Sequence, residues 1–159
     1  CQFEPGREHD TSAEDAAALR RSIVLGDLAA SHGDVPVGAI LVADGRAFEA
    51  HNTKEADQDP TAHAEMLAIR DAAAALRRWR IGGTLYVTKE PCAMCAGAIV
   101  AARIERLVYG CDDPKGGASG TVIDIFASAA VNHRVEVVRG VLADETAAQL
   151  RAFFAQRRA

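Results

Sequence analysis

Two short segments of the chain carry residue types able to hold a metal ion and move a proton. They are His63-Ala64-Glu65 and Pro91-Cys92-Ala93-Met94-Cys95. Cys92 and Cys95 stand three apart, neighbours on one face of a helix, so one ion can reach both sulfurs. Each segment falls at the predicted start of a helix, where free N–H groups and partial positive charge favour thiolate over thiol. His63 adds an imidazole, and this mixed nitrogen and sulfur set suits Zn²⁺ in a tetrahedral site. Three protein ligands leave the fourth position for water, which is the pattern of a catalytic zinc. Glu65 lies two residues beyond His63, roughly 200° around an ideal helix. The two side chains therefore converge only if the helix points its tip at the metal. Two thiolates cancel the charge of Zn²⁺ and leave a weaker Lewis acid than three imidazoles would, so a nearby carboxylate that accepts a proton from water is an asset. A Cys-x-x-Cys pair alone also fits a structural zinc or a redox centre. The structural site needs a fourth ligand, which His51, Cys111 or His133 could supply. The redox centre leaves His63 unexplained.

The elements that must position these residues follow from local pattern. Residues 1–11 read as a flexible tail ahead of a domain spanning 12–159. Ser12 is placed to cap a helix with Asp15 in its first turn, and Ala16, Leu19, Ile23, Val24 and Leu28 recur at helical spacing until His32-Gly33. Residues 35–42 read as a strand with an irregular start at Pro36, and Asp44-Gly45 predicts a tight hairpin into residues 46–53. A polar loop over 54–60 leads to Thr61, a candidate N-cap for a helix reaching Arg78. Gly82-Gly83 breaks that helix before a strand over 84–88. Pro91 then opens a helix over 92–102. A strand over 104–109, a Gly-rich loop over 110–120, an ambiguous segment over 121–130, a strand over 135–138 and a helix from Asp144 complete the chain. This order predicts one α/β domain, a mixed sheet with helices on both faces.

Composition narrows the function classes. Hydrophobic residues at 49% and charged residues at 25% are those of an ordinary globular domain. No apolar run approaches the about 18 residues of a membrane span, so no membrane partner is expected. The first ten residues lack the apolar core of a signal peptide. In that setting the close cysteine pair reads as metal chemistry rather than a disulfide, and the expected compartment is the reducing cytoplasm. The net charge of −4 speaks against a nucleic-acid partner unless a local basic face does the binding. The arginines at 70, 77, 78 and 80, then at 151, 157 and 158, fit solvated helix faces as well as RNA contacts.

His-x-Glu followed by Pro-Cys-x-x-Cys resembles the zinc deaminase signature. Beyond it, the chain resembles the bacterial tRNA adenosine deaminases over nearly its whole length. The matching segments are Val35 to Ala39, His51-Asn52, Asp59 to Glu65, Glu90 to Ala98, Asp113-Pro114-Lys115, Asn132 to Glu136, Gly140 to Glu145 and the closing Phe153-Phe154. The resemblance implies a cytidine-deaminase-like three-layer fold with about five strands, and one Zn²⁺ per subunit on His63, Cys92 and Cys95. It implies hydrolysis of adenosine to inosine at the wobble position of a tRNA anticodon stem-loop. Activated water would attack C6 of the adenine while Glu65 carries protons to the ring and to the departing ammonia. By position, Asn52 should hydrogen-bond the base, Val35 and Ala64 should line its pocket, and Asp113 should approach the sugar and accept from a 2′-hydroxyl. A homodimer is implied too, with Phe153 or Phe154 facing a partner. The chain departs from the family at Asp34, where Glu is usual, at Lys89, where Leu is frequent, and at Cys111, where a small residue is usual. A deaminase of free guanine, adenine or adenosine would use the same zinc site, because the signature reports the reaction and not the substrate. A non-catalytic zinc module would have no use for Glu65.

Overall fold

Strand residues alternate between two packed faces, and that alternation fixes where each helix must lie. The computed structural model describes residues 7–128 and 131–157; Cys1, Arg158 and the end of the ambiguous 121–130 segment lie outside them. The strands are β1 (Gly38–Ala43), β2 (Arg46–His51), β3 (Thr84–Lys89), β4 (Arg106–Cys111) and β5 (Glu136–Val138), and the helices are α1 (Arg7–Ser31), α2 (Lys54–Asp57), α3 (Ala64–Leu76), α4 (Ala93–Ala101) and α5 (Ala143–Arg157). The sheet runs β2-β1-β3-β4-β5. β1 is antiparallel to β2 and β3, while β4 is parallel to both β3 and β5. On one face Leu41, Leu85, Val87, Leu107 and Tyr109 pack against Ala64, Ala68 and Ala72 of α3 and Ile99 of α4. On the other, Ile40, Tyr86 and Val108 meet Leu19 and Leu25 of α1, with Val141 and Leu142 at their edge. Each fully buried Leu contributes about 1.5–3 kcal/mol to this sandwich. The mixed five-stranded α/β sheet with helices on both faces is as the sequence predicts.

Several boundaries differ, each for a physical reason. α1 already begins at Arg7, because neither proline nor glycine interrupts the chain from there to Leu25. Ser12 and Asp15 therefore lie inside the helix and not at its start. Asp15 is buried, and its carboxylate accepts two hydrogen bonds from Arg106, at 2.7 and 2.6 Å, tying α1 to β4. The hairpin turns at Asp44 and Gly45, both at positive φ (54° and 71°), as a type I′ turn requires.

The polar loop after β2 contains the single-turn α2. Asp34, one of the family departures, accepts the N–H groups of Glu55 at 2.7 Å and Ala56 at 3.2 Å at its start. Thr61 does not cap α3. Its N–H and hydroxyl are both taken by Asp59 Oδ1, each at 2.8 Å, which closes a turn two residues short of the helix. The cap position passes to His63. Residues 121–128 form turns, with an isolated bridge between Ser119 and Asp124, and no helix.

Candidate metal centre and its cavity

α3 and α4 bring their N-termini together beyond the end of β3, and each has a ligand-type residue at its cap. His63 (φ −80°, ψ 149°) and Cys92 (φ −75°, ψ 177°) are both extended, and neither side chain closes onto its own helix. The start of α3 is capped from outside: Asn52 Oδ1 accepts the Ala64 N–H at 2.8 Å. His63 Nδ1 lies 3.7 Å from Cys92 Sγ and 3.6 Å from Cys95 Sγ. The three ligand atoms fall within 4.8 Å of one another, so this group could hold a metal ion. Tetrahedral zinc with ordinary Zn–S and Zn–N bonds would set nitrogen and sulfur about 3.6 Å apart, and the observed spacing fits it. Among the described residues no fourth side chain joins the group. His51 Nδ1 meets Asn52 O at 3.2 Å, His133 Nε2 meets Ile104 O at 2.7 Å, and the Cys111 thiol donates to Thr88 O at 3.8 Å.

The electrostatics suit a dication. The Cys92 thiol is pulled down to about 3, first by a hydrogen bond from Cys95 and then by one from His63. Cys95 is pushed up, by that same contact with Cys92 and by burial. Two thiolates side by side repel each other, and a bound dication would hold both in that form. Glu65, second residue of α3, is only 4% exposed, and burial pushes its carboxyl above the ordinary range. A carboxylate so placed is a stronger proton acceptor than one in water.

His63, Glu65 and Cys92 line a cavity of about 120 Å³ together with Val35, Val37, Asn52, Lys54, Lys89 and Glu90. That is roughly the share of four waters, room for a planar ring and not for a whole nucleotide. Val35, Asn52 and Lys54 form a wall shared with a second cavity of about 110 Å³, bounded by Gly33, Phe153, Phe154 and Arg157. There the two phenyl rings meet edge to face at 5.4 Å, and the Arg157 guanidinium lies 4.6 Å over Phe153 while donating to Gly33 O. A larger groove of about 610 Å³ between α1 and α5 contains none of the three ligand residues.

The structure brings His63, Ala64, Glu65, Cys92, Cys95, Asn52 and Val35 to one place. Asp113 stands slightly apart. Its Oδ1 accepts the Lys115 N–H at 3.0 Å, and its Oδ2 lies 3.4 Å from Lys89 Nζ. Burial pushes the Asp113 carboxyl up, but the Lys115 N–H and Lys89 outweigh it and the net shift is downward.

Sequence reasoning missed the part played by Glu90. This carboxylate is fully buried and accepts from the N–H groups of Asp113 (3.0 Å), Ser119 (2.9 Å) and Thr121 (3.2 Å), and from the Thr121 hydroxyl. Burial pushes Glu90 up, but these bonds, led by Thr121, leave it below the ordinary range. Gly117 is held so close that a Cβ there would stand 2.4 Å from the Glu90 carboxyl carbon. The signal was present: an acidic residue between an apolar strand and Pro91, with a Gly-rich loop whose N–H groups need an acceptor.

Comparison with known proteins agrees with this site. Residues 13–158 match the MafB19-like deaminase family. The tRNA-specific adenosine deaminase of Bacillus subtilis is 47% identical over 91% of both chains. That of Haemophilus influenzae is 46% identical over 91% of this chain and 85% of its own. A solved structure from work on A-to-I editing by tRNA:A34 deaminases at the wobble position of transfer RNA is 42% identical. It superposes with a TM-score of 0.81 over 84% of this chain and 99% of that one. A guanine deaminase structure from Bacillus subtilis is more distant, at 30% identity and a TM-score of 0.59 over 90% of this chain and 93% of that one. With a cytidine-deaminase-like fold, a His-Cys-Cys group at metal-binding spacing and these relatives over nearly its whole length, the chain belongs to the MafB19-like deaminase family, and within it to the tRNA-specific adenosine deaminases.

Proposed function

We propose that the protein hydrolyses adenosine to inosine at the wobble position of a tRNA anticodon stem-loop, releasing ammonia, with one zinc held by His63, Cys92 and Cys95. The observation that carries the chemistry is the three-ligand group at tetrahedral spacing with buried Glu65 beside it. Zinc bound there supplies the Lewis acidity that makes water a nucleophile near neutral pH. Glu65 would take a proton from that water and deliver it to the adenine ring nitrogen, then take the remaining proton from the oxygen added at C6 and pass it to the departing amine, which leaves as ammonia. Val35, which lines the cavity, would wall the ring with the buried Ala64 next to it, and Asn52, fixed through its oxygen on the Ala64 N–H, would orient the base. Asp113, which pairs with Lys89 beside the cavity, would accept from the ribose 2′-hydroxyl.

Two features favour a polynucleotide over a free base. The relatives at 46–47% identity are tRNA-specific, and the second cavity joins aromatic rings to a guanidinium, the combination on which unpaired bases stack. No helix among the described residues is long and apolar enough to cross a membrane. A tRNA substrate and cysteines suited to a metal support a cytoplasmic location. A homodimer is part of the proposal. α4 (AMCAGAIVA) carries no charge on any side, yet Ala93, Gly97 and Ala101 are exposed on one of its faces, as expected of a helix covered by a second copy. A Cβ at Gly97 would meet nothing within 4 Å, so Gly97→Glu should fold and sediment as a monomer. An unaltered dimer would remove α4 from the interface.

The deciding experiment offers the zinc-loaded protein a wobble-adenosine stem-loop beside free adenosine, adenine and guanine. Inosine in the stem-loop alone is the expected result. Turnover of a free base or nucleoside, with the stem-loop untouched, would retain the zinc chemistry and overturn the substrate.

A further inference from the structure

The rim of the small cavity carries a cation that the deamination chemistry leaves unused. Lys89 closes β3 and lines the cavity together with His63, Glu65 and Cys92. Its ammonium lies 3.4 Å from Asp113 Oδ2, with the two side chains 30% and 16% exposed. That carboxylate is itself fixed, by the Lys115 N–H on its other oxygen and by its own N–H on Glu90. Lys89 is therefore a cation held at the cavity by an anchored partner, and a mobile surface lysine would pay more side-chain entropy to bind the same group. An ammonium has three donors, and the ion pair occupies one.

Charge and size say what the remaining donors would meet. Two thiolates would neutralise a bound Zn²⁺, and the Glu90 carboxyl lies in the same lining, within a chain whose net charge is −4. Lys54 and Lys89 are the lysines that line the cavity. A space of about 120 Å³ admits the ring and leaves the sugar and its phosphates at the rim. A free base offers nothing to an ammonium there, whereas a nucleotide within a chain offers a phosphodiester on each side.

We propose that Lys89, held by Asp113, binds a phosphodiester flanking the target nucleotide and so helps this chain select a polynucleotide over a free base or nucleoside. The inference rests on the proposed function and names how its site chooses its substrate. Lys89 is a binding residue, and its effect belongs in KM and affinity rather than in kcat.

The test measures binding of the wobble-adenosine stem-loop across a salt series, in a zinc-loaded Glu65→Gln background that cannot turn it over. Lys89→Met should weaken binding about tenfold at low salt and lower the slope of log affinity against log salt by about 0.7, the share of one phosphate on a single strand. Lys89→Arg should restore the slope. In the active background Lys89→Met should raise KM for the stem-loop with kcat nearly unchanged. Should the Met variant fold poorly by thermal unfolding or zinc content, Lys89→Gln answers the same question with a neutral donor. Affinity and slope equal to the parent's in these neutral variants would overturn the inference while the parent still makes inosine. A parent that makes no inosine in the stem-loop overturns the functional reading instead.

Discussion

The floor and the rim of the cavity are built differently. The floor consists of Glu65 and Glu90, both buried, with His63 and Cys92 at helix caps and the buried Cys95 in contact with His63. The rim consists of Lys54 and Lys89, with Phe154 and Arg157 in the adjoining cavity, all long or aromatic side chains with solvent on one side. A floor that must hold ligands to a few tenths of an ångström depends on helices, strands and buried hydrogen bonds. A rim that recognises a substrate can be altered without disturbing that frame. Reaction type and substrate choice thus reside in separate sets of residues a few ångströms apart.

Changes to the floor should be severe, and those to the rim mild. The largest effect expected is that of Glu65→Ala, which should reduce kcat by about 10³-fold or more while metal analysis still finds one zinc per chain. Loss of zinc together with activity would make Glu65 a structural residue. Next, Glu90→Ala strands several buried N–H groups and should cost about 3 kcal/mol in urea unfolding. The sign of its pH dependence follows from the depressed carboxyl. The unfolded chain titrates near the ordinary 4.5 and the folded one lower, so this stability is present above 4.5 and lost as pH falls through the folded value. Glu90→Gln should flatten that dependence.

Asn52→Ala joins floor to rim, since it uncaps α3 and removes a contact to the base. We expect about 10²-fold lower kcat/KM and about 1 kcal/mol less stability; a stability loss alone would confine Asn52 to capping. At the rim, Phe154→Ser should raise KM for the stem-loop about fivefold, the low end of one stacked base, with melting temperature unchanged. An altered sedimentation coefficient in this variant would instead place Phe154 at the dimer contact.

How much was legible in the sequence follows the same division. The ligands could be read because Cys92 and Cys95 are close in the chain and His63-x-Glu65 is a compact pattern. The strands could be read because Leu85, Val87, Leu107 and Tyr109 alternate with a second buried set. Ser12 and Thr61 misled because a hydroxyl can cap a helix or serve elsewhere. Asp59 claims Thr61, and nothing local stops α1 at Ser12. Asp15 with Arg106, and Glu90 with Thr121, pair across separations of 91 and 31 residues. Such pairings carry no periodic signal, and only the closed sheet brings them together. Lys89 stood out in the sequence as a departure from the family pattern, but its partner Asp113 became evident only in three dimensions.

The grip of Glu90 on the segment from Asp113 to Thr121 has a consequence for motion. Connections without regular secondary structure ordinarily exchange their amide hydrogens quickly, because water reaches them without any larger opening. Here the amides of Asp113, Ser119 and Thr121 point at one buried carboxylate. To exchange, they must detach from β3's end and expose that charge, an opening comparable to peeling a strand. In deuterated buffer these loop amides should therefore retain their protons on the timescale of the sheet beneath them.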